Sequence, residues 1–464
     1  MSSEPISEIK VVSSLALLYV FRMLGLFMVL PVLMLYGEAY TGSTPFLLGL
    51  ALGIYGLTQA CLQIPLGWLS DRWGRKPVIV VGLLVFAAGS IVAATADSVL
   101  GLVIGRALQG AGAIAGAVMA LVADLTSEQN RTKAMAAIGA SIGVSFAVAL
   151  VLGPFIAGLG GMAAVFWVTA ALAAIGLLVV WRLIPDPARV PAVTAARGEV
   201  GALPTMIAAT LAHRELLRLD WGIFCLHFVL MASFVAVPGM LESFGFNRSA
   251  HWQIYLPVMV LAFIAMLPFV VVAERKRKVK PVFLGAIAIL GAAQLGLSQW
   301  HQSAQLSLLL LFIFFAAFNL LEATLPSLIS KLAPAGGKGT AMGIYSTSQF
   351  LGAFAGGVVG GWMLQSFSVA GVFVSCALLV FIWWAIGLFM SPPRYLSRRQ
   401  MPVDAAGRTG AELEAAAREI RGVAEAYWAE AVLYLKVDEA LLDHDRLSLL
   451  GAGTPGPAQT AEGV

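Results

Sequence analysis

Charge and cysteine are both scarce in this sequence. Only 12% of its 464 residues are charged and 59% are hydrophobic, whereas about 25% of the residues in a soluble domain carry a charge. This balance excludes an ordinary soluble protein and indicates that most of the chain lies in a membrane. The three cysteines stand alone in apolar stretches, at Cys61, Cys225 and Cys376, which excludes an evident disulfide framework or zinc site.

Motifs for enzymatic chemistry are also missing. The sequence contains no GxxxxGK(S/T) phosphate-binding loop, so we expect an ion gradient rather than ATP to supply energy. It shows no set of nucleophile, base and orienting acid and no cluster of metal ligands, so we predict neither an enzyme nor a bound cofactor or metal. The net charge of +4 is typical of a membrane protein with basic loops, and we predict no nucleic-acid partner.

Long apolar runs make up most of the chain. Twelve of them are long enough to cross the hydrocarbon layer, about 30 Å thick, as helices. The runs are continuous rather than alternating, which favours helices over barrel strands. The first has no signal-peptide cleavage site, so we expect it to be retained as a span. The predicted spans are 11–36, 46–69, 77–96, 99–123, 134–159, 162–184, 219–241, 252–273, 279–299, 304–329, 339–364 and 370–390.

Basic residues predict the orientation of these spans. Of the 29 Lys and Arg residues, Arg22 and Arg106 lie within spans, and only Arg248 lies in a loop on the far side. Lys and Arg are retained in cytoplasmic loops, so the side that holds all the others is predicted to be the cytoplasm. An even number of spans places both termini there. We therefore predict a multi-pass protein of the bacterial inner membrane.

The spans form two diverged halves. The loop after span 2 is DRWGRK (71–76) and the loop after span 8 is ERKRKVK (274–280), and spans 5 and 11 end in GPFIAG and GGVVGG. Parallel halves of this kind place a substrate site at their interface. The predicted organisation is a first six-helix bundle at 1–184, a linker at 185–218, a second bundle at 219–391, a small cytosolic α+β domain at 392–450 and a disordered tail at 451–464.

The small domain is predicted from a change in pattern after the last span. A helix from Glu412 to Arg421 is followed by a hairpin and a short helix. In the hairpin, only Leu433, Leu435 and Val437 make a clean apolar face by alternation.

Three motifs carry a family resemblance. The segment Gly67 to Lys76 resembles the loop between the second and third helices of the major facilitator superfamily, with its acid, bases and glycines at the family spacing. Span 4 is similar to the family's helix-4 motif, and span 5 to the motif of its drug/proton antiporters. In the antiporter motif, Ala157 replaces a glycine, and Gly139 and Gly143 are out of register. The motif residues in spans 4 and 5 are Arg106, Gln109, Gly110, Gly112, Gly153, Pro154 and Gly158.

Nearly the whole chain resembles the YajR-type subfamily of bacterial transporters. The resemblance implies proton-driven efflux and a ferredoxin-like domain after helix 12. It also implies that Asp71 faces the N-terminus of span 11 near 338–340, latching the halves on the cytoplasmic side, and that Arg75 pairs with Asp124. The tail lacks a CxxC pair, so no metal-chaperone role is carried over, and it lacks a clear last strand. The implied switch residues are Gly67, Asp71, Arg72, Gly74, Arg75, Lys76 and Asp124.

Four ionisable residues interrupt the spans. A charge inside the bilayer costs about 2.5 to 3.5 kcal/mol or more, so such residues mark cavities and proton relays. Glu322 is our candidate for proton coupling, the alternative being an acid permanently paired with an arginine. His227 is the second candidate, although a lone histidine on an apolar helix is more often a hydrogen-bonded core residue. Arg22 and Arg106 would either attract an anionic substrate or hold Glu322 ionised, and the alternative for Arg106 is a role in the helix-4 motif.

Polar but uncharged residues in the spans are predicted to line the cavity or to bond neighbouring helices. They are Gln59, Gln63, Gln109, Asn319 and Gln349.

The leading hypothesis is a monomeric, proton-coupled antiporter that exports small amphiphilic compounds. It would do so by rocking its halves about a central cavity, with substrate, protons and membrane lipid as its partners. Fold alone does not distinguish it from a proton symporter importing a nutrient. A third hypothesis is a sensor that signals through its soluble tail.

Overall fold

The computed structural model describes residues 8–126, 128–184, 204–334, 337–391, 397–403, 409–429, 432–438 and 441–451. Most of the predicted linker and nearly all of the predicted tail lie outside these ranges. The chain divides into two compact units. One contains 1–193, 218–326 and 343–390, and the other contains 194–217, 327–342 and 391–464.

The first half of the chain is helical, as predicted. Its helices are α1 (Glu8–Phe27), α2 (Leu33–Tyr36), α3 (Pro45–Trp73), α4 (Arg75–Ala94), α5 (Val99–Ala111), α6 (Ala115–Leu125) and α7 (Glu128–Arg182). A buried apolar core joins α1, α4, α6 and α7, with Leu15, Ile79, Phe86 and Leu121 at 0 or 1% exposure.

Two predicted spans are interrupted. The predicted span 11–36 is broken by turns at 28–32, because Pro31 has no N–H to donate and its ring opposes the preceding helical turn. The predicted span 99–123 is broken between α5 and α6, where Gly112 packs closely against α4: a Cβ there would lie 3.0 Å from the Phe86 Cβ. Apolar length predicted these spans but did not reveal their breaks.

The second half has fewer and longer helices. They are α8 (Pro204–Ala212), α9 (Arg214–Ser243), α10 (Trp252–Arg275), α11 (Val279–Trp300), α12 (Ala304–Leu332) and α13 (Lys338–Leu388). Helix α9 therefore begins inside the predicted linker. Among the described residues, 10 segments are long and apolar enough to cross a membrane.

Two of these segments are far longer than one bilayer crossing. Helix α7 has 55 residues and α13 has 51, whereas about 20 residues suffice. Helix α7 contains a non-helical pair, Gly160 and Gly161, the second at φ +67°. Helix α13 contains Ser368 at φ +72°. Both interruptions fall at predicted span boundaries.

The two halves touch along α3 and α13. A Cβ on Gly53 would lie 2.6 Å from the Phe354 carbonyl oxygen, and one on Gly357 would lie 2.6 Å from the Gly49 carbonyl oxygen. Only glycine permits such a close backbone approach. In contrast, no atom of the described residues lies within 4 Å of a Cβ built at Gly67, near the C-terminus of α3, or at Gly343, near the N-terminus of α13.

The tail contains a three-stranded antiparallel sheet, which was predicted only in part. Strands β1 (Ser397–Pro402), β2 (Val423–Ala429) and β3 (Val432–Val437) have the order β1-β3-β2. Helix α14 (Gly410–Arg418) precedes the hairpin and α15 (His444–Gly451) follows it. The first strand was missed because its sequence, SRRQMP, is mostly polar.

Local sequence explains the start of α14. Thr409 and Glu412 form a reciprocal capping box that satisfies two backbone donors, so the helix begins at Gly410 rather than at the predicted Glu412.

The apolar face of β3 forms the domain core, as alternation predicted, with Leu433, Leu435 and Val437 at 0 or 1% exposure. The opposite face is also buried.

Candidate functional site

A buried group of polar side chains joins three helices of the second half. His227 on α9 places its Nδ1 3.9 Å from the Glu322 Oε2 on α12. On the other side of the ring, the Gln349 Nε2 on α13 lies 2.8 Å from the His227 Nε2. The His227 side chain is 11% exposed and that of Glu322 is 35% exposed, but the Oε2 that faces His227 is buried.

The contact with Gln349 matches one tautomer of the histidine. An amide nitrogen donates and does not accept, so the His227 Nε2 accepts the hydrogen bond from Gln349. The proton of the neutral ring then lies on Nδ1, which faces Glu322. The Glu322 Oε2 has no hydrogen-bond partner among the described residues, and the Ile223 carbonyl, one turn earlier on α9, also interacts with the histidine ring. The two groups lie within ion-pair range of each other but beyond hydrogen-bonding distance.

Other polar groups surround this pair. Asn319, one turn before Glu322 on α12, is 7% exposed, and its Nδ2 has no partner among the described atoms. The phenol of Tyr345 interacts electrostatically with both Glu322 and Asp220. The ring centroid of Phe318 lies 6.2 Å from that of His227 and closes one side of the group.

Asp220 lies near the start of α9, and its residue is only 6% exposed. Helices α9 and α13 run side by side, with Phe228 packed on Gly356 and Ala232 on Gly360. The sequence signal for Asp220 was its position just inside α9, and only the tertiary structure shows that it is buried.

Arg106 does not pair with Glu322. Its three nitrogens donate within the first half, from Nε to the Ala51 carbonyl at 3.2 Å, from Nη1 to the Gln109 Oε1 at 2.7 Å and from Nη2 to the Leu52 carbonyl at 3.5 Å. Gln109 in turn donates to the Ser90 hydroxyl at 2.8 Å. This network bonds α5 to α3 and α4.

Arg22 lies in a different environment. Its Nη2 contacts the Gln59 Oε1 at 2.7 Å, and the Tyr55 hydroxyl and the Gly112 carbonyl at 3.2 Å each. The Gly112 carbonyl is available because the helix breaks there. Gln63, one turn after Gln59, is 7% exposed.

Neither Arg22 nor Arg106 lies within 4 Å of the Glu322 carboxylate. The alternative of a permanent pair between this acid and an arginine is therefore not the arrangement in this structure.

The charged loop after α3 is built around Arg75. This side chain forms an ion pair with Asp71, donates to the Ser70 hydroxyl at 2.8 Å and contacts the Asp124 Oδ2 at 3.0 Å. Gly74 joins α3 to α4 at φ +94°, a conformation that favours glycine.

The other bases of the loop have separate partners. The Lys76 Nζ donates to the Ile184 carbonyl at 2.5 Å, and the Arg72 guanidinium lies 4.2 Å from the Trp68 ring centroid. The contact of Asp71 with the start of span 11 remains a prediction.

The residues of the antiporter motif lie where α7 meets other segments. A Cβ on Gly153 would lie 3.1 Å from the Pro31 Cγ, and one on Gly158 would lie 2.6 Å from the Ser249 Cβ in the second half. Pro154 lies inside the helix between them. Gly158 therefore belongs to the contact between the halves.

Sequence reasoning missed a second contact between the halves near Gly158. Arg248 forms an ion pair with Glu242 at 2.5 Å and donates from Nη1 to the Leu35 carbonyl in the first half at 3.0 Å. The only sequence signal was that Arg248 is the lone base in the loops on that side.

Among the described residues, no group of three or more His, Cys, Asp or Glu side chains is arranged to hold a metal.

Comparison with known proteins agrees with this architecture. The family model of the Major Facilitator Superfamily matches residues 15–357 and 219–442. The inner membrane transport protein YajR of Escherichia coli (strain K12) is 48% identical over 422 residues, covering 90% of this chain and 91% of that protein. The multidrug resistance protein MdtH of Aeromonas hydrophila is 26% identical over 345 residues, covering 73% of this chain and 83% of that protein.

A solved structure shows the same fold. The bacterial homolog of the human lysosomal transporter Spinster, in an inward-facing and occupied conformation, has a TM-score of 0.70 at 13% identity and covers 85% of this chain and 98% of that one. The predicted family is confirmed. The chain belongs to the Major Facilitator Superfamily and is a multi-pass membrane transporter, not an enzyme.

Proposed function

We propose that this transporter is coupled to protons and exports small amphiphilic compounds from the bacterial cytoplasm by alternating access. The observation that carries the proposal is the approach of the His227 Nδ1 to the Glu322 Oε2 at 3.9 Å. A carboxylate with no arginine partner is free to gain and lose a proton. A carboxylate that is protonated facing one side and ionised facing the other links proton movement to the conformational switch.

The packing of the halves supports alternating access. Close contacts between α3 and α13 lie near Gly49 and Gly361, whereas the other ends of these helices, at Gly67 and Gly343, face open space. With the basic loops in the cytoplasm, this packing supports an inward-facing arrangement. Packed interfaces of this kind switch between discrete states rather than deforming continuously.

Topology completes the proposal. Counting α7 and α13 as two spans each raises the 10 apolar segments to twelve, with both termini in the cytoplasm and the α+β domain attached after the last span. Export is favoured over import by Gly153, Pro154 and Gly158, which match the antiporter motif, and by the similarity to MdtH, a protein named for multidrug resistance. We expect the transporter to act as a monomer.

Reconstituted protein tests coupling and direction together. Purified transporter in liposomes that contain a pH-reporting dye is exposed to a panel of amphiphilic compounds. Substrate added outside enters the liposomes down its gradient. An antiporter then moves protons out and makes the lumen more alkaline, whereas a symporter moves protons in and makes it more acidic. Protein-free liposomes are the control. If no compound changes the internal pH, proton coupling is refuted.

A further inference from the structure

Two fully buried arginines in the first half differ in how their donors are satisfied. Arg106 is 0% exposed, and each of its three nitrogens donates to an oxygen. Arg22 is 2% exposed, and only its Nη2 has partners. Its Nε and Nη1 have none among the described residues. Arg106 is therefore a structural cross-link, whereas Arg22 retains unused binding capacity.

The unused donors of Arg22 are not isolated. The Nε2 of Gln59, a residue that is 0% exposed, also has no partner among the described atoms. In a guanidinium, Nε carries one N–H and Nη1 carries two, and the amide of Gln59 adds two more. Buried donors in proteins are nearly always satisfied, and each exception requires an explanation. The cluster thus has a surplus of donors and a shortage of acceptors.

Charge shows the same imbalance. Within the part of the chain that the structure describes, no carboxylate lies within 4 Å of Arg22. Its neighbours are the Tyr55 hydroxyl, the Gln59 amide and the Gly112 carbonyl, and all three are neutral. An uncompensated buried charge is strongly unfavourable. A guanidinium with free N–H groups is the preferred protein group for binding carboxylate, sulfonate and phosphate oxygens.

We propose that Arg22 and Gln59 form an anion-binding subsite, and that the transported compound carries a carboxylate, sulfonate or phosphate group that binds there. This inference rests on the proposed function, to which it adds the charge class of the substrate. The Nη2 contacts to Tyr55, Gln59 and Gly112 fix the guanidinium plane in advance, so its other nitrogens are already oriented when the anion arrives. Such preorganisation strengthens binding because less conformational entropy is lost.

The subsite lies apart from the proton-coupling pair. Arg22 is on α1 and is bonded to α3 and the break after α5, all in the first half, whereas His227 and Glu322 are on α9 and α12 in the second half. Substrate and proton therefore do not compete for one side chain. They are coupled through the movement of the halves, and anion binding is separable from proton coupling by experiment.

Binding is measured by isothermal titration calorimetry on the full chain in nanodiscs of phosphatidylcholine, a lipid without net charge. Three probes share one ring system and differ in charge: naphthalene-2-sulfonate, neutral naphthalene-2-sulfonamide and cationic 2-(aminomethyl)naphthalene. We expect the sulfonate to bind at least tenfold more tightly than the cation. Arg22→Gln should reduce sulfonate affinity tenfold or more, and Arg22→Lys should reduce it less.

Two further variants separate binding from folding. Arg182→Gln removes an exposed arginine that stacks on Trp181 and should leave sulfonate affinity unchanged. Gln59→Leu removes the amide donors without removing a charge and should weaken sulfonate binding several-fold while leaving cation binding unchanged, even if Arg22→Gln does not fold. Equal affinity for all three probes, or full sulfonate affinity in folded Arg22→Gln or Gln59→Leu protein, would overturn the proposal.

Failure of the anion subsite can be distinguished from failure of the proposed function. If cationic compounds drive proton movement in liposomes while no anionic probe binds, the anion subsite is refuted and proton-coupled transport stands. If sulfonate binds through Arg22 and no compound moves protons, the subsite stands and the coupling is refuted.

Discussion

The Nδ1 of His227 lies 3.9 Å from the Oε2 of Glu322, on helices that are distant in sequence. The separation exceeds a hydrogen bond but is within the range of an ion pair. Under the proposed function, a small side-chain movement would convert this contact into a hydrogen bond through which the two groups exchange a proton. Because Gln349 occupies the opposite ring nitrogen, the imidazole cannot rotate freely away from the carboxylate.

Glu322→Gln should abolish substrate accumulation driven by a pH gradient while preserving downhill exchange. The amide mimics the protonated acid, so the conformational switch survives and only its link to the proton is lost. The measurement is transport in liposomes with and without an imposed pH gradient. Glu38→Gln, which removes an exposed carboxylate, is the control and should behave as wild type. Retained coupling in Glu322→Gln would show that the proton travels elsewhere, with His227 as the next residue to test.

Gln349→Leu should reduce proton coupling several-fold without abolishing it. The substitution removes the donor to the His227 Nε2, so the ring loses its preferred tautomer and orientation, whereas Glu322 keeps its carboxylate. The ratio of protons to substrate moved is measured as a function of pH. His227→Asn should have a larger effect than Gln349→Leu, and equal effects would show that the histidine acts only by packing.

Asp71→Asn should shift the population towards the inward-facing state. If Asp71 latches the halves in the outward-facing state, as the family resemblance implies, its neutral amide weakens that latch. A cysteine introduced by Gly343→Cys, in a Cys61→Ser background, reports access from the cytoplasmic side, since Cys225 and Cys376 are 0% exposed. Its labelling rate by a membrane-impermeant maleimide should rise. An unchanged rate together with full transport would contradict a latch at Asp71.

Arg248→Gln should shift the same reporter in the opposite direction. The substitution removes the bond to the Leu35 carbonyl, which joins the far ends of the halves, and the pair with Glu242 within the second half, which positions the guanidinium. The ion pair is more than a third exposed, so it contributes only about 0.2 to 1 kcal/mol, and the hydrogen bond adds roughly 0.5 to 1.5 kcal/mol. Labelling of the Gly343→Cys reporter should therefore fall by a few-fold. Opposite shifts in these two variants distinguish a two-state switch from general destabilisation, which would move both in the same direction.

Deletion of residues 392–464 should leave an inserted protein that still transports. The tail has a core of its own, with Leu413, Ala417 and Leu435 at 0 or 1% exposure. Leu435→Ala in the intact chain should destabilise this core by about 2 to 5 kcal/mol, measured by amide exchange, and leave transport rates unchanged. Loss of insertion after deletion would refute a separable domain. Loss of the cellular phenotype with intact transport would favour the sensor hypothesis.

The sequence by itself determined the features that depend on composition and local pattern. Apolar length determined where most spans lie, and the two conformational breaks, at Gly160 and Gly161 and at Ser368, fall where polar or glycine-rich residues separate apolar runs. The motif at Gly67 to Lys76 identified the family, because its spacing is local. The same reasoning singled out Glu322, His227 and Arg22 as buried polar groups, since any such residue in an apolar span is unusual.

Tertiary structure alone decided the partners of these groups. Periodicity places a residue on a helix but does not determine which helix it faces, so Glu322 met a histidine rather than an arginine. Arg22 bonds the Gly112 carbonyl where the span breaks, and Asp220 is buried although it lies near the start of α9. The Arg248 bond to Leu35 likewise depends on how the halves approach each other. Each of these contacts joins residues far apart in sequence, and their distances are set by packing, which a single sequence does not encode locally.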